Sequence, residues 1–330
     1  MARTCMGRDK RQYLYGGNTG TAYSIHKIGV QKMIRFGFDV GGTYIRFAVF
    51  DEAATAPLWA KRADTPVHDK NNFYSTIHDL FDEACTLYDR PERLGFSVPG
   101  AIHPETKILI TANIPCISNI NLGAELEDLL KLTVTVANDA DCFVLSEYFG
   151  GEADGKEFAF GLIMGTGIGG GIIINGKPFQ GRSGSGGEWG HGGPVADLDK
   201  YKLPVLECGC GQKGCLDLYC GGKGLTRMSG FFGKPGLDAV SLVKDWKNGD
   251  RHATKVIEAW CDLTSSRLAA VLSPFDISSV PVGGGLAKSQ DLIRFLDKAT
   301  RQKMFNAPIT DIIKPGKFLL FGGMRGAAFL

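Results

Sequence analysis

The sequence contains no apolar run approaching the roughly 20 uninterrupted residues that a membrane-spanning helix requires. It also lacks a strong net charge, because 37 Lys and Arg residues against 35 Asp and Glu residues give a formal net charge of +2. The first 33 residues carry six basic side chains and one acid, a net +5, which leaves −3 for the rest. Because the body has no broad basic field, we expect no nucleic-acid partner and no membrane partner.

The opening segment lacks both a continuous apolar region and a small-residue cleavage site, so we do not interpret it as a secretory signal. We expect residues 1–33 to be disordered or an extra N-terminal extension, with the working protein beginning near Met33. An additional surface strand or helix over this segment is the alternative.

The nine cysteines are not spaced as in a disulfide framework, since four of them fall between Cys208 and Cys220. His191, Cys208, Cys210 and Cys215 offer one imidazole and three thiolates, and intervening glycines permit tight turns. Such a closed set of four soft ligands selects structural zinc. Unligated reduced thiols are the alternative, and Cys220 is not required as a ligand. A metal site of this kind indicates a reducing compartment, so we expect a cytoplasmic location.

A strand, a glycine turn and a second strand occur twice along the chain. The first copy runs from Ile34 to Phe50 around the turn Gly41-Gly42-Thr43, and the second begins at Phe158 around Gly165-Thr166-Gly167. Two β-rich runs around a glycine turn predict a hairpin. The repetition therefore indicates a duplicated core.

Between and after the two hairpins, helical and strand patterns alternate, which is typical of an α/β protein. Short apolar runs predict strands at residues 94–98, 133–137 and 277–282. Apolar residues at helical spacing predict helices at residues 71–88, 122–132, 142–149, 237–246 and 253–272, with a final short helix opening at 322–323.

The first turn has the composition of a phosphate site. Gly41 and Gly42 let backbone N–H groups approach an anion without a Cβ in the way, and Thr43 adds a hydroxyl donor. Asp39 can hold hydrated Mg²⁺. A purely structural turn is the alternative for this motif taken alone.

The second turn, around Gly165, Thr166 and Gly167, formally contains the dinucleotide fingerprint G-x-G-x-x-G. That fingerprint requires a helix to open at the glycines, whereas an apolar strand follows here. Two phosphate turns facing each other across a cleft suit a nucleoside triphosphate better.

Asp139 follows the predicted strand at 133–137 and precedes a predicted helix. A carboxylate in a cleft flanked by phosphate turns is placed to accept a proton from a substrate hydroxyl that attacks the γ-phosphate. A helix cap is the alternative for the run N-D-A-D by itself. We therefore predict that Asp139 is the catalytic base.

The motifs D-V-G-G-T, N-D-A-D, G-T-G-I-G-G-G, E-W-G-H and C-G-C-G-x-x-G-C, in this order, resemble those of the ROK family of repressors and sugar kinases. The resemblance covers Phe36 to the C-terminus. It implies an actin-like ATPase (ribonuclease H-like) fold of the α/β class, with two domains around a cleft. Residues 34–137 with about 317–330 would form the small domain, and residues 138–316 the large domain with the zinc loop.

The resemblance also implies roles for individual residues. Asp139 matches the base that activates the sugar 6-hydroxyl, and His191 would both ligate zinc and face the sugar. The remaining sugar-binding positions would be Asn113, Asn138, Glu188 and Asp217, and the adenine-side loop would be Gly283, Gly284 and Gly285.

Two positions depart from the family pattern. Asp217 stands where Glu is usual, which shortens the reach to a sugar hydroxyl by one methylene. Tyr44 stands where Lys is common, so no basic residue is expected directly after the first turn.

The segment around Asn113 and the C-terminal run G-M-R-G-A-A-F-L are most similar to family members that phosphorylate N-acetyl-D-glucosamine with ATP. Fructose is the second choice, and glucose and N-acetylmannosamine also stay open. Family members that are repressors carry a helix-turn-helix domain, for which the opening segment lacks a two-helix pattern. A sugar-sensing regulator without catalysis is the alternative from another class, and the family suggests a homodimer.

Overall fold

The computed structural model describes residues 34–51, 55–195 and 197–330, so the extension expected over residues 1–33 lies outside the described residues. Twelve strands occur in the described residues: β1 Ile34–Val40, β2 Tyr44–Asp51, β3 Trp59–Asp64, β4 Arg93–Val98, β5 Ala101–Ile102, β6 Leu109–Ile110, β7 Thr133–Asn138, β8 Phe158–Met164, β9 Ile168–Ile174, β10 Lys177–Pro178, β11 Val280–Gly283 and β12 Ile313–Pro315.

Nine α-helices occur in the same part of the chain: α1 Lys70–Cys85, α2 Leu122–Leu130, α3 Asp139–Tyr148, α4 Asp217–Cys220, α5 Gly222–Phe231, α6 Ala239–Lys247, α7 Arg251–Leu272, α8 Gln290–Lys303 and α9 Gly322–Ala328. None of these described helices is long and apolar enough to cross a bilayer. All the helices predicted from periodicity are present with shifted ends. Helices α4, α5 and α8 and strands β3, β5, β6, β10 and β12 were not predicted.

The two five-stranded sheets share one topology. The strand order is β3-β2-β1-β4-β7 in the first sheet and β10-β9-β8-β11-β12 in the second. In both sheets the first three strands pair antiparallel and the last two run parallel to the central strand. The duplicated core and both glycine hairpins expected from the sequence are thus confirmed.

Alternation along β1 explains the core of the first sheet. Phe36, Phe38 and Val40 are buried on one face, as expected for a strand with side chains alternating between two faces. The Phe38 ring stacks between Phe47 and Phe96, with centroid distances of 3.9 and 4.6 Å. These aromatic contacts hold the central strands together and so fix the position of the turn at the end of β1.

On the opposite face of the first sheet, α9 approaches the strands backbone to backbone. Gly37 and Gly95 are register partners on β1 and β4. A Cβ on Gly37 would lie 2.0 Å from the Met324 carbonyl oxygen, and one on Gly95 would lie 1.8 Å from that of Ala327. The paired glycines therefore create the space in which the C-terminal helix packs.

Helix α3 packs closely on two glycines of the second sheet, as α9 does on the first. A Cβ on Gly161 would lie 2.3 Å from Val144, and one on Gly171 would lie 2.7 Å from the Ala140 carbonyl oxygen. Gly161 and Gly171 are again register partners, here on β8 and β9. Because α3 begins where β7 of the first sheet ends, it carries the chain from one sheet to the other. The described residues form one compact unit, so the division into two domains stays a prediction.

Candidate active site and metal centre

The turn between β1 and β2 is held by hydrogen bonds within the turn and from Thr65. Gly41 N–H donates to the Tyr44 carbonyl (2.9 Å), and Thr65 N–H donates to that of Thr43 (3.0 Å). The Thr65 hydroxyl donates to the Gly41 carbonyl at 2.6 Å. These bonds leave Gly42 and Thr43 exposed. The turn thus presents the N–H and hydroxyl groups that an anion requires.

Asp39 at the end of β1 has both carboxylate oxygens engaged. Ser97 Oγ donates to Oδ1 at 3.0 Å, and Arg46 Nη1 pairs with Oδ2 at 3.1 Å. Ser97 is fully buried. Neither partner was predicted from the sequence, although the cross-strand pairing of Asp39 with Arg46 could have been found from the hairpin register. A basic side chain therefore does lie beside the first turn, supplied by Arg46.

Asn113 lies against the first turn, since a Cβ on Gly42 would be 3.3 Å from the Asn113 carbonyl oxygen. The side chain of Asn113 is exposed. The segment that carries the predicted sugar contact thus packs against the first glycine turn.

The turn between β8 and β9 is held by the start of α5. Gly165 N–H donates to the Gly167 carbonyl (3.0 Å) within the turn. Gly222 N–H then donates to the Gly165 carbonyl (2.8 Å), and Lys223 N–H to that of Thr166 (3.0 Å). The second turn is therefore fixed by backbone bonds from a glycine-rich segment that follows the cysteine cluster.

The predicted adenine-side loop packs on this second turn. Gly284 has φ +84°, and a Cβ there would lie 2.5 Å from the Met164 backbone, so only glycine fits. An open cleft of about 750 Å³ extends from the turn. Its lining includes Gly165, Thr166, Lys223, Arg227, Ala239 and Gly285. The size and the glycine edges suit a nucleotide.

Asp139 is the first residue of α3. Asn138 caps this helix, since its Oδ1 accepts from Ala140 N–H at 2.8 Å and its Nδ2 donates to the Gly100 carbonyl at 2.9 Å. Removal from solvent raises the pKa of Asp139 to about 6, and the charges of Asp39 and Glu188 add to the shift. A carboxylate with a pKa near the working pH is suited to accept a proton.

Asp141, two residues further on, is 3% exposed and was given no role from the sequence. Burial raises its pKa to about 7, with contributions from Asp139 and Glu188, although Ile172 N–H donates to it at 3.4 Å. A buried acid that holds a proton near neutral pH adds no full negative charge beside Asp139.

Glu188 and His191 face each other, with 3.7 Å between Glu188 Oε2 and His191 Nε2. Desolvation raises the pKa of Glu188, Asp217 adds to the shift, and His191 opposes it. Asp217 begins α4, and its Oδ1 accepts from Ile168 N–H at 2.8 Å. Its carboxylate therefore lies on the second turn, and its predicted sugar contact stays a prediction.

The four predicted metal ligands are gathered into one cluster. The donor atoms of His191, Cys208, Cys210 and Cys215 all lie within 4.8 Å of one another. Cys208 Sγ lies 3.6 Å from His191 Nδ1, and Cys210 Sγ lies 3.6 Å from Cys215 Sγ. A hydrogen bond from the Gln212 backbone lowers the pKa of Cys210 to about 7, whereas desolvation raises the pKa of the neighbouring Cys208 to about 11. The cluster could hold a metal ion.

Cys220 stands apart, as expected. It is fully buried, its carbonyl accepts from Trp260 Nε1 at 2.9 Å, and its sulfur accepts from the Thr264 hydroxyl at 3.0 Å. It is thus a core residue of the second half of the chain.

A continuous series of neighbours joins the two turns through Asp139. Asp39 and Glu188 both act on the carboxyl of Asp139, Glu188 is acted on by Asp217, and Asp217 bonds to Ile168 at the second turn. Asp39, Asp139, Glu188 and Asp217, which were predicted from separate motifs, therefore influence one another in sequence.

The family model for the ROK family matches residues 35–330. The N-acetyl-D-glucosamine kinase of Pectobacterium carotovorum subsp. carotovorum (strain PC1) is 33% identical over 298 residues, which cover 89% of this chain and 98% of that protein. The solved ROK hexokinase of Thermus thermophilus superposes with a TM-score of 0.78 at 28% identity, covering 90% of this chain and 97% of that one. A ROK family glucokinase of Streptomyces griseus, solved with glucose and AMPPNP, gives a TM-score of 0.71 at 25% identity, covering 90% and 98%.

This chain therefore belongs to the ROK family. Its fold is the actin-like ATPase fold of the ROK kinases, as the order of the motifs implied.

Proposed function

We propose that this ROK family sugar kinase transfers the γ-phosphoryl group of ATP to the 6-hydroxyl of N-acetyl-D-glucosamine, giving N-acetyl-D-glucosamine 6-phosphate and ADP. The relatives named N-acetyl-D-glucosamine kinase support the choice of sugar. The observation that carries the proposal is Asp139 at the start of α3, where burial and the charges of Asp39 and Glu188 raise its pKa to about 6.

Asp139 acts as the base. Its carboxylate accepts the 6-hydroxyl proton while the sugar oxygen forms a bond to the γ-phosphorus and the bond from that phosphorus to the β–γ bridging oxygen breaks. ADP leaves with the bridging oxygen, and the proton on Asp139 is then released to solvent. The cap at Asn138 fixes where the carboxylate lies at the start of α3.

The two turns bind the nucleotide. The N–H groups of Gly42 and Gly167 and the hydroxyls of Thr43 and Thr166 face the phosphates, and the loop Gly283–Gly285 borders the adenine. Gly41 and Gly165 shape the two turns, because their own N–H groups donate to the carbonyls of Tyr44 and Gly167. Arg46 supplies a positive charge at the first turn. Mg²⁺ on Asp39, when bound, would neutralise charge on the β- and γ-phosphates. Both Asp39 oxygens are already oriented by hydrogen bonds, which suits a metal-binding carboxylate.

The sugar is bound by Asn113, Asn138, Glu188 and His191, with Asp217 as the fifth predicted position. His191 joins this set to the metal centre, because Nδ1 faces Cys208 while Nε2 faces Glu188. A ring held by metal on one nitrogen presents the other in a fixed direction.

The metal is zinc. Three thiolates and one imidazole form a four-ligand set typical of structural zinc. Among the residues that the structure describes, His191, Cys208, Cys210 and Cys215 are the four donors close enough together to bind one ion. Zinc there would hold the loop from His191 to Cys215 in shape.

We further propose two domains that close on the substrates, residues 34–137 with about 317–330 and residues 138–316. The active site draws Asp39 and Asn113 from the first and Glu188 and the second turn from the other. Closure would exclude water from the γ-phosphate and so favour transfer to the sugar over hydrolysis.

A coupled ADP-release assay with a sugar panel tests the function. We expect N-acetyl-D-glucosamine to give the highest kcat/KM, above fructose, glucose and N-acetylmannosamine. A higher value for any of the others would replace the proposed substrate. Sugar binding by calorimetry without ADP release from any sugar would instead favour the regulatory alternative.

A further inference from the structure

We propose that Asp217 is a positioning residue for the nucleotide turn Gly165–Gly167, rather than primarily a ligand of the sugar. The inference rests on the proposed kinase function, since it assigns a task to a residue of the same site. It departs from the role expected for the longer Glu that is usual at this position.

The carboxylate of Asp217 is committed to the turn. Oδ1 accepts from Ile168 N–H at 2.8 Å, and Ile168 is the first residue of β9, directly after Gly167. A Cβ on Gly167 would lie 2.5 Å from the same Oδ1 and 3.7 Å from Oδ2. Gly167 thus leaves room for the carboxylate, and the carboxylate fixes the N–H that begins the strand.

The backbone around Asp217 supports the same turn. A Cβ on Gly221 would lie 2.5 Å from Gly167 Cα, and Gly222 and Lys223 donate to the carbonyls of Gly165 and Thr166 at 2.8 and 3.0 Å. The turn is therefore held by the Asp217 side chain together with the backbone N–H groups of Gly222 and Lys223.

Asp217 is itself fixed from the sugar side. Its N–H donates to the Gly190 carbonyl at 3.1 Å, and Gly190 lies between the predicted sugar ligands Glu188 and His191. One carboxylate oxygen bonded to the turn is not free to accept from a sugar hydroxyl in the same direction. The shorter Asp side chain thus suits a contact with the neighbouring backbone.

The test is direct binding of Mg–ADP in the absence of sugar, measured by calorimetry on the full chain. Asp217→Ala removes the acceptor for Ile168 N–H, so we expect Kd for Mg–ADP to rise about tenfold. Asp217→Asn keeps a carbonyl oxygen in the same place, so we expect Kd within about twofold of the parent protein. Asp199→Ala, the same change at an exposed acid, should leave Kd unchanged.

The second measurement is sugar binding without nucleotide. We expect Asp217→Ala to change Kd for the best substrate of the sugar panel by less than about threefold, with KM for ATP rising more than KM for sugar. An unchanged Kd for Mg–ADP in Asp217→Ala, an equal loss in Asp217→Asn, or a larger loss for sugar than for nucleotide would overturn the proposal. If Asp217→Ala does not fold, Asp217→Ser takes its place, and the same outcomes decide.

These readouts separate the inference from the proposed function. Mg–ADP affinity does not depend on which sugar is phosphorylated. A different sugar preference would therefore refute the proposed substrate while leaving the role of Asp217 to be decided by the nucleotide measurement alone.

Discussion

Asp139 takes its basicity from its neighbours. An ordinary aspartate titrates near pH 4 and would be a weak base at neutral pH. Here burial away from water, together with the charges of Asp39 and Glu188, raises its pKa to about 6. Since these neighbours come from different strands and loops, the site depends on the fold for its chemistry.

The raised pKa predicts a pH dependence. The base must be unprotonated to act, so kcat/KM should fall about tenfold per unit as pH drops below about 6, instead of below 4. A pH profile measured at saturating Mg²⁺ checks this limb. A profile that is flat down to pH 4.5 would contradict the assignment.

Replacing the acid tests its role. Asp139→Asn retains the shape and the helix position but cannot accept the proton, so kcat should fall about 10²- to 10⁴-fold. Sugar affinity measured by calorimetry should stay within about threefold. Turnover close to that of the parent protein would eliminate Asp139 as the base.

Residue types and spacing were sufficient to predict the cluster of His191, Cys208, Cys210 and Cys215 that the fold gathers. They did not give Ser97 or Asp141, because each acts through contacts between segments distant in sequence: Ser97 bonds to Asp39 on a neighbouring strand, and Asp141 is set by the packing of α3 on β9.

At the scale of elements, paired glycines determine where the two crossing helices pack. Helix α9 rests on Gly37 and Gly95, α3 rests on Gly161 and Gly171, and a Cβ on Gly326 of α9 would lie 1.6 Å from the Cys142 carbonyl oxygen of α3. The helix that carries Asp139 is thus fixed against both the second sheet and the C-terminal helix.

Gly95→Ala should disturb this packing. Its Cβ would lie 1.8 Å from the Ala327 backbone, and backbone cannot yield as a side chain can, so we expect a loss of about 1–3 kcal/mol in the free energy of unfolding. Urea titration measures it. Gly123→Ala, a helical glycine whose Cβ would meet nothing nearer than 3.6 Å, is the matched control and should be neutral or stabilising by up to about 1 kcal/mol. Equal effects at both positions would refute the close-packing argument.

The metal loop gives a second prediction at this scale. The purified protein should contain about one zinc ion per chain, and Cys210→Ser should lower both the zinc content and Tm, because a structural site contributes directly to folding. Elemental analysis and thermal unfolding measure the two quantities. Cys85→Ser, in a helix outside the cluster, should change neither. Zinc content that is unaffected by Cys210→Ser would refute the ligand set.

Helix α5 and strand β3 were missed because their own patterns are weak, whereas α8 has a clear amphipathic pattern and could have been predicted. Helix α5 contains three glycines, which disfavour helix, and it forms because Leu225 and Met228 pack into the core. Strand β3 is an edge strand with exposed charged side chains, so its pattern is weak. Tertiary contacts decide such segments, whereas long periodic helices such as α7 are predicted by their own sequence.

At the scale of the whole molecule, the fold followed from repetition. Two strand–glycine–strand segments predicted a duplicated core, and the two sheets have the same strand order. The repetition also explains why the chain has two glycine turns of the same kind, since each sheet contributes the turn of its central hairpin. How the sheets meet was not predictable from local pattern, because it depends on α3 and α9 packing against each other.

A crystal structure of the protein with N-acetyl-D-glucosamine, Mg²⁺ and a non-hydrolysable ATP analogue would test the proposed roles of Asp139 and the two turns together. We predict the sugar O6 within about 3 Å of the Asp139 carboxylate and the γ-phosphate between the turns at Thr43 and Thr166. A sugar bound with O6 directed away from Asp139, or a triphosphate lying against only one of the two turns, would contradict these roles.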